Sequence, residues 1–199
     1  MTKSKSEKAE KEAVRTIASM MVASARTAPK ANGIDDVKML VLNGDDLESL
    51  ASVMDEIAAQ RTTPYPSDAF HMNADMVRQS SCVLLIGVRG SRRDIEKALD
   101  CGACGYGTCE NFRKAGRRKG NDFYGPTCIL KALDLGIAIG SAVKLAGEFH
   151  VDNRIMYTIG VAAKRMHLLD SDVIIGIPMS ITGKNPYFPY FGLIPTQVE

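Results

Sequence analysis

Apolar positions in this chain follow two rhythms, the three- and four-residue spacing of helices and the short unbroken runs of buried strands. From Glu12 onward Val14, Ile17, Ala18, Met21, Val22 and Ala25 keep helical spacing, which predicts an amphipathic first helix. Pro29 and Asn32-Gly33 end it. Val37 to Leu42 reads as a strand, Asn43-Gly44 as a turn, and Asp46 to Ala59 as a helix capped by its aspartate. A loop with two prolines, Arg61 to Ser67, leads to a helix over Asp68–Gln79 and a wholly apolar second strand over Cys82–Val88. Ser91 to Leu99 predicts a short helix, and Glu110 to Lys119 a basic one. Cys128 to Phe149 is a long apolar helix in which Lys131, Asp134, Lys144 and Glu148 are expected to form one polar stripe. Arg154 to Ile159 then predicts a third strand, Val161 to Leu169 a helix, and Val173 to Pro178 a fourth strand.

Helices interleaved with about four apolar strands imply an α/β or α+β sandwich covered by helices, and the α+β form, with a central mixed sheet, is the one expected. Residues 1–11 are almost wholly polar and are expected to be a flexible tip, leaving 12–199 as a single domain. The segment from about 100 to 128 is poor in core residues and reads as an insertion that ligation must order.

That insertion carries the chemistry. Cys101-Gly-Ala-Cys104-Gly-Tyr-Gly-Thr-Cys109 followed by Cys128 has the spacing C-x2-C-x4-C-x18-C. A [4Fe–4S] cluster takes four thiolates, three of them on a tight loop. Gly102, Gly105 and Gly107 let such a loop curl around a bulky core and turn its N–H groups toward sulfur. Zinc also takes four thiolates, but its usual frame is two C-x2-C knuckles and this chain has one. Disulfides would leave the fifth cysteine, Cys82, unpaired, and no signal peptide is visible. Cys82 lies in an apolar run and reads as a small core residue.

The balance of charge narrows the rest. At a net +2, with 25 basic and 23 acidic residues, nothing argues for nucleic acid, and no apolar stretch reaches membrane-spanning length. A cytoplasmic protein is expected, its cluster suited to a low-oxygen cell. Arg113, Lys114, Arg117, Arg118 and Lys119 follow the third cysteine and read either as a solvated helix face or as a surface for an acidic redox partner. Thr182-Gly-Lys184-Asn-Pro-Tyr-Phe188 reads as an ordered tail or as a phosphate contact through Lys184. The methionines read as core filler, and His71, His150 and His167 share no site spacing.

Two resemblances bear on function. Cys101-Gly-Ala-Cys104-Gly-Tyr106 and Met21-Val-Ala-Ser-Ala-Arg26-Thr-Ala-Pro29-Lys-Ala-Asn32-Gly33 resemble an uncharacterised prokaryotic family of ferredoxin-domain proteins, which has no established reaction. The cysteine loop is also similar to the four-cysteine domain of corrinoid iron–sulfur proteins, except that Ile129 follows Cys128 where proline is common. More remotely, Ala25 to Asn32, Asp134 to Gly140, Tyr157 to Gly160 and Ile174 to Pro178 are similar to segments of the FMN-dependent nitroreductase fold. The last two align with its final strands. That resemblance implies a homodimer with FMN at the subunit interface, held by Arg26, Pro29, Asn32, Gly136, Gly140, Gly160 and Lys184. The arginine-rich phosphate grip of nitroreductases is reduced here to Arg15 and Arg26. Two functions follow as expectations: an oxidoreductase in which a cluster relays electrons to flavin, serving a redox partner or a small-molecule acceptor, or a flavin-free electron carrier.

Overall fold

The computed structural model describes residues 5–91 and 98–188. Its first helix, α1 (Ser6–Thr27), starts six residues before Glu12, so much of the tip expected to be flexible is helical. Val14, Ile17, Ala18, Met21 and Ala25 form its buried face. The chain leaves the helix at Ala28, pushed into extended backbone by Pro29, and the Lys30 ammonium donates to the Ala25 carbonyl at 3.0 Å, covering an open helix end. A single 3-10 turn, Ala31–Gly33, leads into β1 (Val37–Leu42).

Two helices follow, α2 (Asp45–Ala59) and α3 (Pro64–Arg78), then β2 (Cys82–Val88). The N-cap of α2 is Gly44, and Asp45, Asp46 and Glu48 crowd its first turn, where they favour the helix dipole. The short helix expected around Ser91–Leu99 falls largely outside the described residues. The cysteine-bearing segment contributes α4 (Cys109–Lys114) and a hairpin of β3 (Arg118–Lys119) and β4 (Tyr124–Gly125). The basic helix therefore ends five residues earlier than predicted, and the last two residues of the predicted span pair as a strand. After it come α5 (Ile129–Glu148), β5 (Asp152–Asn153), α6 (Tyr157–Arg165) and β6 (Val173–Ser180).

The main sheet has the order β1-β2-β6-β5 and is antiparallel at every pairing, where a mixed sheet was expected. Strand β2 lies in the middle and is buried along its whole length, which is why its sequence is apolar without alternation. Its side chains still alternate by face. Val83 and Leu85 meet α2, α3 and α6, whereas Cys82, Leu84, Ile86 and Val88 meet α1 and α5.

The expected third strand over Arg154–Ile159 is not one. Only Asp152 and Asn153 pair with β6, Met156 makes an isolated bridge to Gly176, and Tyr157 already begins α6. The cause is a pair of glycines. A Cβ on Gly160 would stand 1.7 Å from the Ile174 carbonyl oxygen, and one on Gly176 would stand 2.0 Å from Ile159 Cγ2. Helix and strand backbones touch there, and the apolar run that looked like strand is the helix face that makes the contact.

The polar stripe expected on α5 divides in two. Lys144 and Glu148 pair at the surface, but Lys131 and Asp134 are buried. The Lys131 ammonium lies 3.0 Å from Asp36 and 3.3 Å from Asp134, and donates to the Ile34 carbonyl at 3.1 Å. Asp134 also accepts the Ala31 N–H at 2.8 Å. This ionic knot pins the loop between α1 and β1 onto α5. Among the described residues no helix is long and apolar enough to cross a membrane.

Candidate functional site

Three of the four candidate cluster ligands sit on one loop whose backbone only glycine adopts easily. Gly102, Gly105 and Gly107 have φ of 73°, 85° and 73°. The Gly105 N–H closes a turn onto the Gly102 carbonyl at 2.9 Å, and the Thr108 side chain caps α4 through the Asn111 N–H. Phe112 is buried and meets Tyr106 edge to face, so α4 anchors the loop it follows. Cys101 is exposed, Cys104 and Cys109 are half-buried, and Cys128 is buried at the N-terminal boundary of α5.

All five cysteines are free thiols. Among the described residues no group of three or more His, Cys, Asp or Glu side chains is gathered closely enough to hold a metal ion. The donor set suits iron and sulfide: four sulfurs, and no histidine among them. The fifth thiol is set apart. Cys82 is fully buried between α1, α5 and the sheet, and burial pushes its pKa up to about 12, which makes it a poor ligand.

One aspartate fastens the cysteine-bearing segment to the ends of β2 and β6. The Asp172 carboxylate, buried, accepts the Gly90 N–H at 2.8 Å and pairs with the Arg117 guanidinium. Its own N–H donates to Val88 and its carbonyl accepts from Tyr124. Gly90 in turn accepts the Cys128 N–H at 2.8 Å, so Cys128 hangs from the same node.

The residues expected to hold flavin do not form one group. Arg26 pairs with Asp35 and donates to the Val37 carbonyl at 3.0 Å, while Pro29 and Asn32 are exposed on the adjoining loop. Gly136 and Gly140 lie on the outward face of α5, with nothing within 4 Å of where a Cβ would stand. These five share the α1/α5 side of the sheet. Gly160 lies on the other side, its close approach made to β6, and Lys184 is exposed beside α3 in a cavity shared with Asp75 and Gln79.

Sequence reasoning missed a larger cavity on that second side. About 740 Å³ opens between α3, the start of α6 and the insertion hairpin. Phe70, Met72, Ile155 and Met156 make its apolar wall, and Arg61, Asn73 and Asp122 are among its polar lining. Asp122 pairs with Arg61 and accepts from the Tyr157 hydroxyl. Burial, and then that acceptor, push the Tyr157 pKa up to about 12. Asn73 donates to Thr158 Oγ1 at 2.8 Å, yet its Oδ1, closed off from solvent, has no hydrogen-bond partner among the described residues.

An uncharacterized protein of Archaeoglobus fulgidus is 43% identical over 177 residues, 89% of this chain and 91% of the relative. Residues 124–189 match a family described as uncharacterized proteins containing a ferredoxin domain. The chain belongs to that family. Within this ferredoxin-domain family protein the matched stretch includes Cys128 but begins after Cys109. Its fold is that of the nitroreductases. An FMN-bound nitroreductase of Bacteroides fragilis superposes with a TM-score of 0.58 at 8% identity, over 92% of this chain and 86% of its own. One of Desulfitobacterium hafniense, also with FMN, gives 0.53 at 12%, over 87% and 82%. The NADPH:FMN oxidoreductase of Vibrio harveyi, complexed with NAD+, gives 0.51 at 10%, over 87% and 62%.

The signal that could have found the cavity was present but diffuse. Arg61, Asn73, Asp122 and Tyr157 lie on four separate segments with no common spacing, and only the fold brings them together.

Proposed function

We propose that this ferredoxin-domain family protein is an iron–sulfur redox protein in which a [4Fe–4S] cluster is coupled to a flavin. The observation that carries the reading is contiguity. Asp122, on the turn of the hairpin that follows the cysteine loop, lines the 740 Å³ cavity and is held there by Arg61 and Tyr157. Cys101, Cys104, Cys109 and Cys128 would hold the cluster. The apolar wall suits a flat heteroaromatic ring, as the isoalloxazine of FMN is. When bound, a flavin would exchange electrons singly or in pairs and a cluster one at a time, while the protein supplies binding, orientation and exclusion of water.

A second seat for the flavin has its own observation. Gly136 and Gly140 are open on α5, and Pro29, Asn32 and Arg26 lie on the same side of the sheet. Ile129, Leu133 and Ile137 continue that outward face, 42%, 51% and 43% exposed. We read this stripe as the contact between two copies of the chain, the glycines leaving room between the subunits. Arg113, Lys114 and Arg118, exposed on the insertion, suit an acidic redox partner. Five free thiols suit the cytoplasm.

The deciding experiment is an absorption spectrum with iron, sulfide and flavin analysis on anaerobically purified protein. Resolved flavin peaks over a broad cluster shoulder support the coupled reading. The shoulder alone makes the protein a single-electron carrier, and zinc in place of iron ends the redox assignment.

A further inference from the structure

The residue before the first cysteine of the loop is tied to the third. Asp100 stands at φ 44°, left-handed backbone that aspartate tolerates better than most side chains, and its carboxylate accepts the Cys109 N–H at 2.7 Å. This single hydrogen bond spans the whole C-x2-C-x4-C loop. Cys101, which follows Asp100 directly, and Cys109 are thereby joined through a side chain that is not a cysteine.

Helix capping accounts for only part of this contact. Cys109 is the first residue of α4, where a backbone N–H has no partner inside the helix. The ordinary cap is already in place, since Thr108 accepts the Asn111 N–H at 3.2 Å. Asp100 adds a full negative charge to the same helix start, and among the described residues no cation pairs with it. Its neighbour Glu110, by contrast, is offset by Lys114 at 2.7 Å. Other loop N–H groups also end on oxygen: Gly105 donates to the Gly102 carbonyl at 2.9 Å and Thr108 to the Tyr106 carbonyl at 2.8 Å.

We propose that Asp100 is the positioning residue of the cysteine loop: it fastens Cys109 to the start of the loop and, through its charge and its hold on the Cys109 N–H, keeps the reduction potential of the bound cluster low. The inference rests on the iron–sulfur reading and deepens it by naming what tunes the site. Reduction adds negative charge to a thiolate-held cluster, which a nearby carboxylate opposes and an N–H donated to sulfur favours. Asp100 is exposed, so its charge is screened by salt.

The test is a redox titration of anaerobically purified full-length protein at low and at high salt, with iron and sulfide measured on the same samples, for the parent, Asp100→Asn and Asp100→Ala. Asparagine keeps an acceptor oxygen and the left-handed backbone and removes only the charge. Asp100→Asn is expected to load iron as the parent does and to shift to a higher potential, by more at low salt than at high. Asp100→Ala, which also frees the Cys109 N–H, is expected to hold less iron per chain and to shift further upward in the fraction loaded. Asp100→Asn at the parent's potential, or at a lower one, overturns the proposal. So does Asp100→Asn that folds by circular dichroism but loses its iron, because the residue would then govern loading rather than potential. Asp100→Ala with the parent's iron content and potential overturns it as well. Zinc or no metal in the parent ends the iron–sulfur reading and the proposal together, whereas iron-loaded variants at the parent's potential end the proposal alone.

Discussion

The Asp172 carboxylate accepts the Gly90 N–H at 2.8 Å across 82 residues of chain, and so joins the exit of β2 to the entry of β6. Because the same carboxylate holds Arg117, the insertion's two ends and its middle depend on one side chain. Asp172→Ala leaves the buried Gly90 N–H without its acceptor. Arg117 is 47% exposed and recovers water, which limits the loss to about 1–3 kcal/mol. A lower urea midpoint together with reduced iron per chain is expected. Unchanged iron loading would show that the cysteine loop organises without this anchor.

A larger penalty is expected at Lys131. Its ammonium is 1% exposed and faces both Asp36 and Asp134. Lys131→Met removes a buried cation that faces two buried carboxylates, for a cost of about 3–5 kcal/mol. The Ala31–Ile34 loop loses its tether in the same step. Chemical denaturation measures the first effect, and faster amide exchange at Ala31 the second.

Most of the layer structure was legible in the sequence because local patterns dictate it. The Val14, Ile17, Ala18, Met21 and Ala25 face is buried as spaced, and the unbroken Cys82–Val88 run is the central strand. What failed was decided at a distance. Tyr157-Thr-Ile-Gly160 has a strand-like composition, and it became helix because Gly160 lets α6 press onto the Ile174 carbonyl. Lys131 and Asp134 looked like surface charges until Asp36, far along the chain, turned out to face them. The cysteine spacing and its left-handed glycines could be read directly. The cavity could not, since its apolar wall comes from α3 and from the approach to α6.

The five thiols should separate into two classes. Cys101→Ser, Cys104→Ser, Cys109→Ser and Cys128→Ser are expected to cut iron content sharply, and Cys82→Ser to leave it unchanged. A pH dependence distinguishes Cys82 further. Its folded pKa of about 12 lies above the unfolded thiol value of roughly 8.5. The stability it contributes is therefore complete below the unfolded value and lost as pH climbs toward 12, at roughly 1.4 kcal/mol per pH unit. Tyr157 and Tyr187, raised in the same direction, add their own losses only above about pH 10. Between pH 9 and 10, Cys82→Ala should flatten the fall in unfolding free energy; an identical slope in both proteins would mean that the thiol already titrates in the folded state.

The two seats for flavin make opposite predictions for two variants. In Asn73→Leu a polar residue of the cavity lining is replaced by an apolar side chain of similar bulk, and Thr158 loses its amide donor. If the isoalloxazine lies in the 740 Å³ cavity, flavin stoichiometry should fall at least tenfold while the subunits still associate. Gly140→Leu instead puts a side chain on the outward face of α5, where a Cβ meets nothing within 4 Å. It should leave the cavity's flavin in place and disturb association, read by analytical ultracentrifugation. Should Gly140→Leu eject flavin and Asn73→Leu retain it, the cofactor belongs between the subunits, against Pro29, Asn32 and Gly136. Circular dichroism on both variants separates loss of ligand from loss of fold, since Asn73 and Gly140 both sit on helices packed against the sheet layers.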